Sequence, residues 1–468
     1  MSKDLSDAVK AAVQKFKAMD PKDLVANVDR SYNVAVIGHV DHGKTTLTSA
    51  LLTEISKKFG LSAAKGYNDV KKTAEERTRG VTIVVSTNES FMVDDNCKLV
   101  RFVLFDCPGH RDFIKNMVAG TSNADLCLIT VSAAKGVEPQ TKAHLQLIKP
   151  LYQAKKEDER KLGIVLTQTD LIGNDAELKE LIKAQIEETI QPFVDEKTFT
   201  SFEFFECSAY DALNGNGEEQ VNVYNICDSV VNRFPKPERP IDLDLWINVE
   251  QIYNVPGRGM VAAGTVIQGV VKPGDVVEVL VPKTGKIYKT TVISVEAFKK
   301  SLPQAVAGDN IGCLLRMVDG LDNMEKGCVI AKPGTIPLKK GFVADVYLFE
   351  EQEGGRNSIT ESGFQPSLFY GVQQYTVTVV FLTGLENAER AEVIKLVQDG
   401  AKMNGSDAVS ARLKSLTSVF KGAEPGSNHQ CIVILNDSKS RIPLRIGKKG
   451  TGQEGHQNRM AFSILEVF

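Results

Sequence analysis

The residues best suited to chemistry lie in the run Gly38-His39-Val40-Asp41-His42-Gly43-Lys44-Thr45. This run matches the pattern G-x-x-x-x-G-K-[ST], in which glycines let backbone N–H groups wrap around a phosphate. Lys44 would reach the outer phosphates, and the Thr45 hydroxyl would bind Mg²⁺. The preceding residues 33–37 are apolar, as in a buried parallel strand, and Thr46 opens a helical pattern. The sequence therefore predicts a strand–loop–helix unit that binds a phosphorylated nucleotide.

Two further motifs suit the terminal phosphate and the metal ion. Asp106-Cys107-Pro108-Gly109 follows an apolar run, so Asp106 can hold Mg²⁺ through water and the Gly109 N–H can meet the last phosphate. Thr82 lies between the two loops, where it can complete the metal shell and be released after hydrolysis. These motifs predict a site that cleaves the nucleotide and changes shape afterwards.

A last pair of motifs indicates which base is bound. Thr167-Gln168-Thr169-Asp170 and Ser208-Ala209 each follow a predicted strand. A carboxylate such as that of Asp170 can accept two hydrogen bonds from guanine, whereas adenine offers no such pair of donors. Each motif is weak by itself, but in this order at strand ends they predict GTP and GDP as the ligands.

Composition bounds the class of protein. The chain has 468 residues, 42% of them hydrophobic and 25% charged, with a net charge of −3, so we expect two to four globular domains and no global basic field. The chain contains no apolar run of about 18 residues, so no membrane span is predicted. The N-terminus has no apolar signal core, and Asp4 and Asp7 argue against a mitochondrial presequence. Eight cysteines without C-x-x-C spacing favour reduced thiols in the cytoplasm.

The order of patterns predicts an N-terminal extension and a first domain. Residues 1–31 form a helical extension whose apolar face we expect to dock on the body of the protein. Residues 32–234 alternate strands and helices, as in a mostly parallel α/β sheet. The predicted strands are 33–38, 84–93, 98–106, 126–131, 163–167 and 203–207. Residues 94–96 form a turn cluster, so the second and third strands are predicted to form a hairpin.

A proline-rich linker, 235–240, then separates two regions with strand patterns. Regular short strands and turns predict a β-barrel at 241–334. Residues 336–468 predict a β-barrel-like third domain with helices near 387–420. Asn387 and Ser406 are the predicted helix N-caps. The predicted apolar faces of these helices consist of Ala391, Ile394, Val397 and Ala401, then Val409, Leu413, Leu416 and Phe420.

These motifs resemble those of the translational GTPases, the family of elongation factor Tu and elongation factor 1-alpha. Beyond the phosphate loop, the resemblance is carried by Arg79-Gly80-Val81-Thr82-Ile83, Asp106-Cys107-Pro108-Gly109-His110 and Ala307-Gly308-Asp309-Asn310-Ile311-Gly312. It covers about 32–370. It implies a Ras-like GTPase domain followed by two β-barrels. The implied ligands and partners are GTP or GDP, Mg²⁺, the ribosome and aminoacyl-tRNA, and the family also admits a guanine-nucleotide exchange factor.

The resemblance also implies roles for single residues. His110 matches the histidine that positions the attacking water, with Val40 and Val81 as an apolar gate. A second set matches family positions around the aminoacylated end of tRNA: Glu250, Gln251, Tyr253, Phe298 and Asn310. Arg258 and Arg356 match family arginines near the switch and the tRNA stem. For Tyr253 and Phe298 a plain place in the barrel core remains an alternative, as does a surface charge for Arg356.

Four features depart from the family pattern. Gln168 stands where the guanine motif has a lysine, Gln251 where an acid follows Glu250, and Gln365 where an arginine faces tRNA. The fourth departure comprises the N-terminal extension and the helical middle of the third domain. Residues 437–459 carry six cationic and two acidic side chains among four glycines, which predicts a flexible loop that either contacts RNA phosphates or is simply solvated.

Three functions remain open at this point. The first is a translational GTPase that delivers aminoacyl-tRNA and hydrolyses GTP on the ribosome. The second is a diverged paralogue for ribosome rescue, termination or a special tRNA. The third is a nucleotide-dependent binding module with little hydrolysis, against which His110 and Thr82 speak.

Overall fold

A computed structural model describes the chain except for residues 1–4, 65–66, 71–81, 83–84, 111–116, 118–120, 122, 154, 174, 256–258, 283, 298–299, 337, 352–354, 356, 371–372, 401–402, 404, 437–441, 444–448, 455–456 and 468. The chain divides into two compact units. The first contains Met1–Asp242 and Val295–Ile311, and the second contains Leu243–Ser294 and Gly312–Phe468.

The N-terminal extension consists of two helices, α1 (Asp7–Lys17) and α2 (Pro21–Ala26). Ser6 caps α1 by accepting a hydrogen bond from the Val9 N–H. The predicted apolar face is the packed one. Val9, Val13 and Phe16 are buried in the core of the first unit, with Leu5 and Ala12 at its margin. The first strand begins at Arg30, so the extension is slightly shorter than 1–31.

The first unit is built on a six-stranded sheet in the order β2-β3-β1-β4-β5-β6. Its strands are β1 (Arg30–Gly38), β2 (Ser86–Val93), β3 (Leu99–Asp106), β4 (Leu126–Ser132), β5 (Lys161–Thr167) and β6 (Ser201–Cys207). β2 is antiparallel to β3, as the hairpin prediction requires, and the remaining neighbours are parallel. Parallel strands are covered on both faces, which explains their near-continuous apolar sequences.

Helices cover both faces of this sheet. They are α3 (Lys44–Phe59), α4 (Tyr67–Val70), α5 (Pro139–Gln153), α6 (Ala176–Asp195), α7 (Ala209–Leu213) and α8 (Gly217–Arg233). α3 starts directly after Gly43, whose left-handed φ of 74° a glycine adopts at no steric cost. Asp175 and Asn216 cap α6 and α8 by accepting backbone N–H groups of the first turn. The carboxyl ends of the strands and the start of α3 therefore meet at one edge of the sheet.

A second sheet has the order β10-β15-β7-β8-β14-β11-β12, and an extra β10–β11 pairing closes it on itself. Its strands, with the short β9 and β13 beside it, are β7 (Trp246–Val255), β8 (Gly259–Gln268), β9 (Val270–Val271), β10 (Val276–Val281), β11 (Lys286–Ala297), β12 (Lys300–Leu302), β13 (Ala305–Val306), β14 (Asn310–Leu315) and β15 (Val329–Ala331). The barrel that the turn spacing predicts is therefore present.

The third domain is a closed barrel in the order β17-β20-β19-β18-β22-β23, with β16 and β21 paired beside it. The strands are β16 (Leu338–Lys339), β17 (Gly341–Leu348), β18 (Ser367–Tyr370), β19 (Gln373–Phe381), β20 (Asn428–Leu435), β21 (Ile442–Pro443), β22 (Lys449–Glu454) and β23 (Gln457–Val467). Alternate residues fill its interior. Phe342, Val379 and Val433 point inward, while their neighbours Val343, Val380 and Ile432 point outward.

Two helices, α9 (Asn387–Gln398) and α10 (Ala408–Thr417), cover that outward apolar face. Their existence is as predicted, but both N-caps were displaced by one residue. Glu386 forms a capping box with Glu389, and Asp407 caps α10. These carboxylates reach the N–H groups of their own first turns, which spacing alone did not distinguish from Asn387 and Ser406.

The predicted apolar faces of α9 and α10 are confirmed at Val397, Leu413 and Leu416, but not at Ala391 and Val409. Val393 and Val397 are buried on α9, whereas Ala391 is exposed. On α10 Leu413 and Leu416 are buried, and Val409 is 40% exposed. Packing against the barrel strands determines which residues of each helix are buried, and the helical period alone does not distinguish between overlapping apolar stripes.

Part of the C-terminal region that was predicted to be a loop forms strands. Lys449–Glu454 and Gln457–Val467 are barrel strands, so the glycines at 450 and 452 lie in a ladder and not in a free loop. The cationic residues Lys439, Arg441, Arg445 and Lys448 lie outside the described residues. Among the described residues, no helix is long and apolar enough to cross a membrane.

Candidate functional site

The phosphate loop leaves β1 at a tight backbone crossing. Gly38 lies so close to β4 that a Cβ atom there would be 2.2 Å from the Thr130 Oγ1, so only glycine fits. At the far end of the loop, the Lys44 Nζ donates to the His39 carbonyl oxygen at 2.5 Å. The ammonium thus bridges the loop at the position where outer phosphates are expected.

Burial shapes the charge of this lysine. Desolvation lowers the pKa of Lys44 to about 8, and the Asp106 carboxylate opposes part of that effect. An anion placed beside the ammonium would stabilise the charged form and raise the pKa of Lys44 again. The loop is therefore suited to a phosphate and poorly suited to a neutral ligand.

Three oxygen groups distant in sequence converge beside the loop. The Thr45 hydroxyl donates to the Asp106 Oδ2 at 2.8 Å and lies 3.0 Å from the Thr82 hydroxyl oxygen, which is 3.4 Å from the same carboxylate oxygen. Two adjacent ligands of octahedral Mg²⁺, each roughly 2.0–2.1 Å from the metal, lie about 2.9 Å apart. The two threonine oxygens match that spacing, and hard oxygen donors are what Mg²⁺ prefers, so these residues fit the ion.

A cavity of about 200 Å³ opens over these groups. It is lined by Val40, Asp41, Gly43, Lys44, Thr45, Thr46, Thr82, Gly109, His110 and Gln168. Gly109 approaches the loop so closely that a Cβ there would be 2.4 Å from the Lys44 Nζ. His110 and Val40 thus border the same space as the Lys44 ammonium, while Val81 lies outside the described residues.

The guanine motifs lie next to each other because β5 and β6 pair in register, with Thr167 opposite Cys207. Thr167 donates to the carbonyl oxygens of His42 at 2.9 Å and Val131 at 3.2 Å, which ties the motif to the phosphate loop. Among the described residues, the Asp170 Oδ1 is a buried oxygen without a hydrogen-bond partner. A buried carboxylate oxygen needs a donor, so this position favours a base that offers N–H groups.

Gln168 spans from the guanine motif to the phosphate loop. Its Nε2 donates to the Asp41 carbonyl oxygen at 3.0 Å, and both residues have left-handed φ values near 60°. The neutral amide therefore holds the two loops together without placing a cation in the site.

The Ser208-Ala209 motif is held by a residue that the sequence analysis did not single out. The Ser208 N–H donates to the Glu219 Oε2 at 2.7 Å, and the Ser208 hydroxyl caps α7 by accepting the Asp211 N–H. Glu219 lies in the first turn of α8 and is buried. An acid in a first helical turn is too common a pattern to have indicated this role.

Three histidines near the loop are held neutral. Burial lowers the pKa of His42 to about 3, and the Ser132 N–H donates to its Nδ1 at 3.3 Å. The ring of His39 is 5.2 Å from that of His42, and burial lowers its pKa too. Burial also lowers the pKa of His144, on α5, to about 3. His144 was missed because no motif marks it; only the fold brings α5 to the loop.

The residues predicted for cargo are described in part. On β7 the Tyr253 hydroxyl donates to the Gln251 side-chain oxygen, and both side chains are exposed. Glu250 accepts a hydrogen bond from the Thr265 hydroxyl at 2.8 Å. Asn310 is the first residue of β14, and Gln365 is exposed. Phe298, Arg258 and Arg356 lie outside the described residues, so no set of cargo contacts is assembled from these positions.

The fold and the site together define a class, that of P-loop GTPases with β-barrel domains after the nucleotide domain. Residues 29–236 match the family model described as the elongation factor Tu GTP binding domain, and residues 259–331 match elongation factor Tu domain 2. Together the two matches cover more than half of the chain. The chain therefore belongs to the translational GTPase family related to elongation factor Tu and elongation factor 1-alpha, and it is a GTP- and GDP-binding protein.

Proposed function

We propose that this protein delivers aminoacyl-tRNA to the ribosome in its GTP form and hydrolyses the GTP there. The observation that carries the GTPase part is the convergence of Thr45, Thr82 and Asp106 beside the buried Lys44. These residues come from three separate segments, and their meeting point borders the cavity that His110 also lines.

In this proposal the phosphate loop binds and orients the nucleotide. Lys44 and the loop N–H groups hold the outer phosphates, and Asp170 accepts hydrogen bonds from guanine. Thr45 and Thr82 would bind Mg²⁺ directly, with Asp106 holding them and water in place. When bound, the ion supplies positive charge that stabilises the charge developing on the transferred phosphoryl group.

His110 is the residue that we propose for water positioning. It lines the cavity next to Gly109, whose backbone approaches the phosphate loop. An imidazole there can orient a water molecule in line with the terminal phosphate. Val40, on the same cavity, would limit water access until the ribosome is engaged.

The delivery of aminoacyl-tRNA is supported by the match to elongation factor Tu domain 2 and by the surface of β7. Exposed Tyr253 offers an aromatic face, and Gln251 beside it offers a neutral amide. A neutral group leaves out one acceptor for the ammonium of an aminoacyl group. We therefore propose GTP-dependent but comparatively weak binding of aminoacyl-tRNA.

The test is protection of the aminoacyl ester from hydrolysis, measured with the full chain in GTP and then in GDP. Slower ester hydrolysis in GTP alone supports delivery. Equal hydrolysis rates with GTP, GDP and no protein would reject it, while leaving GTP binding untouched.

A second candidate, a paralogue for ribosome rescue, termination or a special tRNA, is favoured by one observation. Helices α9 and α10, which depart from the common family pattern, cover an apolar cluster on the outer face of the third barrel. Recovery of a single RNA species with the GTP form, in place of a broad set of tRNAs, would favour this candidate.

A further inference from the structure

One buried carboxylate outside the phosphate loop lies against the guanine motifs. Glu219, in the first turn of α8, is 6% exposed, and its Oε2 accepts the Ser208 N–H at 2.7 Å. The Asn222 side chain donates to the same oxygen at 3.4 Å. Among the described residues no lysine or arginine forms an ion pair with Glu219, so N–H groups supply the compensation that a buried carboxylate needs.

The bond from Glu219 reaches a piece of backbone whose other polar groups are also engaged. The Ser208 hydroxyl accepts the Asp211 N–H at 3.1 Å, and the Ser208 carbonyl oxygen accepts the Ala212 N–H at 3.0 Å. The N–H, the hydroxyl and the carbonyl of Ser208 are thus each bonded inside the protein. Ser208 therefore fixes the course of the chain as it enters Ala209, the second residue of the motif.

The carboxylate is itself held in place by the start of α8. The Asn216 side chain caps this helix by accepting the Glu218 and Glu219 N–H groups at 3.1 and 3.3 Å. The Asn216 N–H in turn donates to the Asp211 carbonyl oxygen, on α7, at 3.0 Å. The chain from β6 through α7 to α8 therefore forms a closed circuit of hydrogen bonds, and Glu219 closes it at Ser208.

The same carboxylate lies close to the other guanine motif. β5 and β6 pair in parallel register with Thr167 opposite Cys207, so Asp170 and Ser208 follow neighbouring strand ends. Burial raises the pKa of the Cys207 thiol, and the Glu219 and Asp170 carboxylates both raise it further, because both act on this buried sulfur. A shift of the Ser208 backbone would therefore change the wall beside the buried Asp170 oxygen.

We propose that Glu219 is a positioning residue for guanine recognition, which holds the Ser208-Ala209 backbone beside Asp170 through its bond to the Ser208 N–H. It acts through Ser208, and the binding of the phosphates does not depend on it. A hydrogen bond to a charged acceptor is roughly twice as strong as a neutral one, so a carboxylate suits a role in which the backbone must stay fixed. The proposal rests on the guanine site proposed above.

The test is competition of GDP and of ADP against a fluorescent GDP analogue on the full chain and on variants of Glu219. ADP shares the diphosphate but not the guanine edge, so its inhibition constant reports the phosphate loop and the fold. Glu219→Ala should weaken GDP binding by at least about tenfold and change ADP binding by less than about threefold.

Two further variants separate the hydrogen bond from the size and charge of the side chain. Glu219→Gln keeps a side-chain oxygen for the Ser208 N–H, so it should bind GDP at least about threefold more tightly than Glu219→Ala. Glu219→Asp is shorter by one methylene, which draws its oxygens back from Ser208, so it should resemble Glu219→Ala and replaces that variant if the alanine protein does not fold. Glu218→Ala, at the exposed neighbouring position in the same helical turn, is the matched control and should leave both affinities unchanged.

The outcomes distinguish the role of Glu219 from the guanine site itself. Equal losses of GDP and ADP affinity in the variant would show that Glu219 only supports the fold, and an unchanged GDP affinity would show that the Ser208 backbone needs no such partner. Either result overturns the proposal. Equal binding of GDP and ADP by the native chain would reject the guanine site as well.

Discussion

At the residue scale, a few side chains combine to define the nucleotide and the reaction. Asp170 presents a buried carboxylate oxygen, Lys44 a buried ammonium, and His110 an imidazole on the same cavity as the lysine. A buried carboxylate oxygen and a buried ammonium are costly without compensating groups, so Asp170 and Lys44 indicate what the ligand must supply. Three predictions belong to this scale.

Replacement of Asp170 by asparagine tests the choice of base. The carboxylate can accept two guanine donors, whereas an amide presents one donor group and favours xanthine. Asp170→Asn should weaken GTP binding about ten- to a hundredfold, as expected for the loss of a charge-assisted contact. The same variant should bind xanthosine triphosphate more tightly than the native chain does. Equilibrium binding of both nucleotides measures this, with exposed Asp158→Asn as the control. Equal binding of ATP and GTP by the native chain would contradict the assignment.

Replacement of His110 by alanine tests the proposed water positioning. Nucleotide affinity should remain nearly unchanged because the imidazole is not proposed to hold the phosphates. Single-turnover GTP hydrolysis on ribosomes should slow by about a hundred- to ten-thousandfold. An unchanged single-turnover rate would remove His110 from the mechanism.

His144 makes the stability of the first unit depend on pH under acidic conditions. Burial lowers its pKa to about 3 in the folded protein, whereas an unfolded histidine titrates near 6.5. The lowered pKa means that the folded state favours the neutral ring. The contribution of His144 to the free energy of unfolding is therefore fully present above about pH 6.5 and is lost progressively as the pH decreases towards 3. Lys44, His39 and His42 act in the same direction.

The variant His144→Gln removes this titration. Between pH 6 and pH 4 the native chain should lose about 1.4 kcal/mol per pH unit more than the variant. Urea unfolding of the full chain, followed by far-ultraviolet circular dichroism at several pH values, measures the difference. Parallel pH dependence of the two proteins would show that His144 is charged or exposed in the folded state.

At the element scale, the third barrel depends on the pair α9 and α10. Their apolar stripes cover outward residues of β17, β19 and β20, and Arg412 pairs with Glu392 across the two helices at 2.8 and 3.0 Å. An exposed ion pair of this kind contributes little to stability. The buried stripe is therefore the main reason why the helices stay on the barrel.

One leucine variant and one valine variant on α10 test whether the buried apolar stripe stabilises the domain. Leu413→Ala, at a fully buried position, should lower the free energy of unfolding by about 2–5 kcal/mol because it leaves a cavity. Val409→Ala, at a position 40% exposed, should change it by less than about 0.5 kcal/mol. Hydrogen exchange of α9 and α10 locates the effect. Equal effects of the two variants would mean that the helices do not pack as described.

At the scale of the whole molecule, the prediction concerns the affinity for aminoacyl-tRNA in the GTP form. The first unit contains the nucleotide motifs and Asn310, while Gln251 and Tyr253 lie in the second unit. Gln251→Asp restores an acid beside Glu250, where an aminoacyl ammonium is expected. A charge-assisted contact is worth about 1.5–3 kcal/mol.

The variant Gln251→Asp should therefore bind aminoacyl-tRNA about ten- to a hundredfold more tightly in the GTP form. Ester protection over a range of protein concentrations measures it, and Gln398→Glu on the exposed face of α9 controls for net charge. If the native chain and Gln251→Asp are both inert at micromolar concentration, tRNA delivery is rejected and the rescue or binding-module alternatives gain support.

Local spacing was enough to predict much of this protein. The phosphate loop, the six strands of the first sheet and the hairpin at 94–96 depend on neighbouring residues, so their patterns are visible in the chain. The same holds for the amphipathic face of α1 and for the existence of two helices near 387–420. N-caps and covered faces were less certain because adjacent residues offer similar side chains.

The tertiary structure decided what distant residues do together. The motifs predicted that Thr45, Thr82 and Asp106 serve one metal site, but only the fold shows that the two hydroxyl oxygens lie within 3.4 Å of the Asp106 carboxylate, up to 61 positions away along the chain. Likewise, only the fold pairs Arg101 with Asp309 across 208 positions and assigns Val295–Ile311 to the GTPase unit. Contacts at such separations depend on how whole elements pack, and that packing balances many small free energies that no single motif carries.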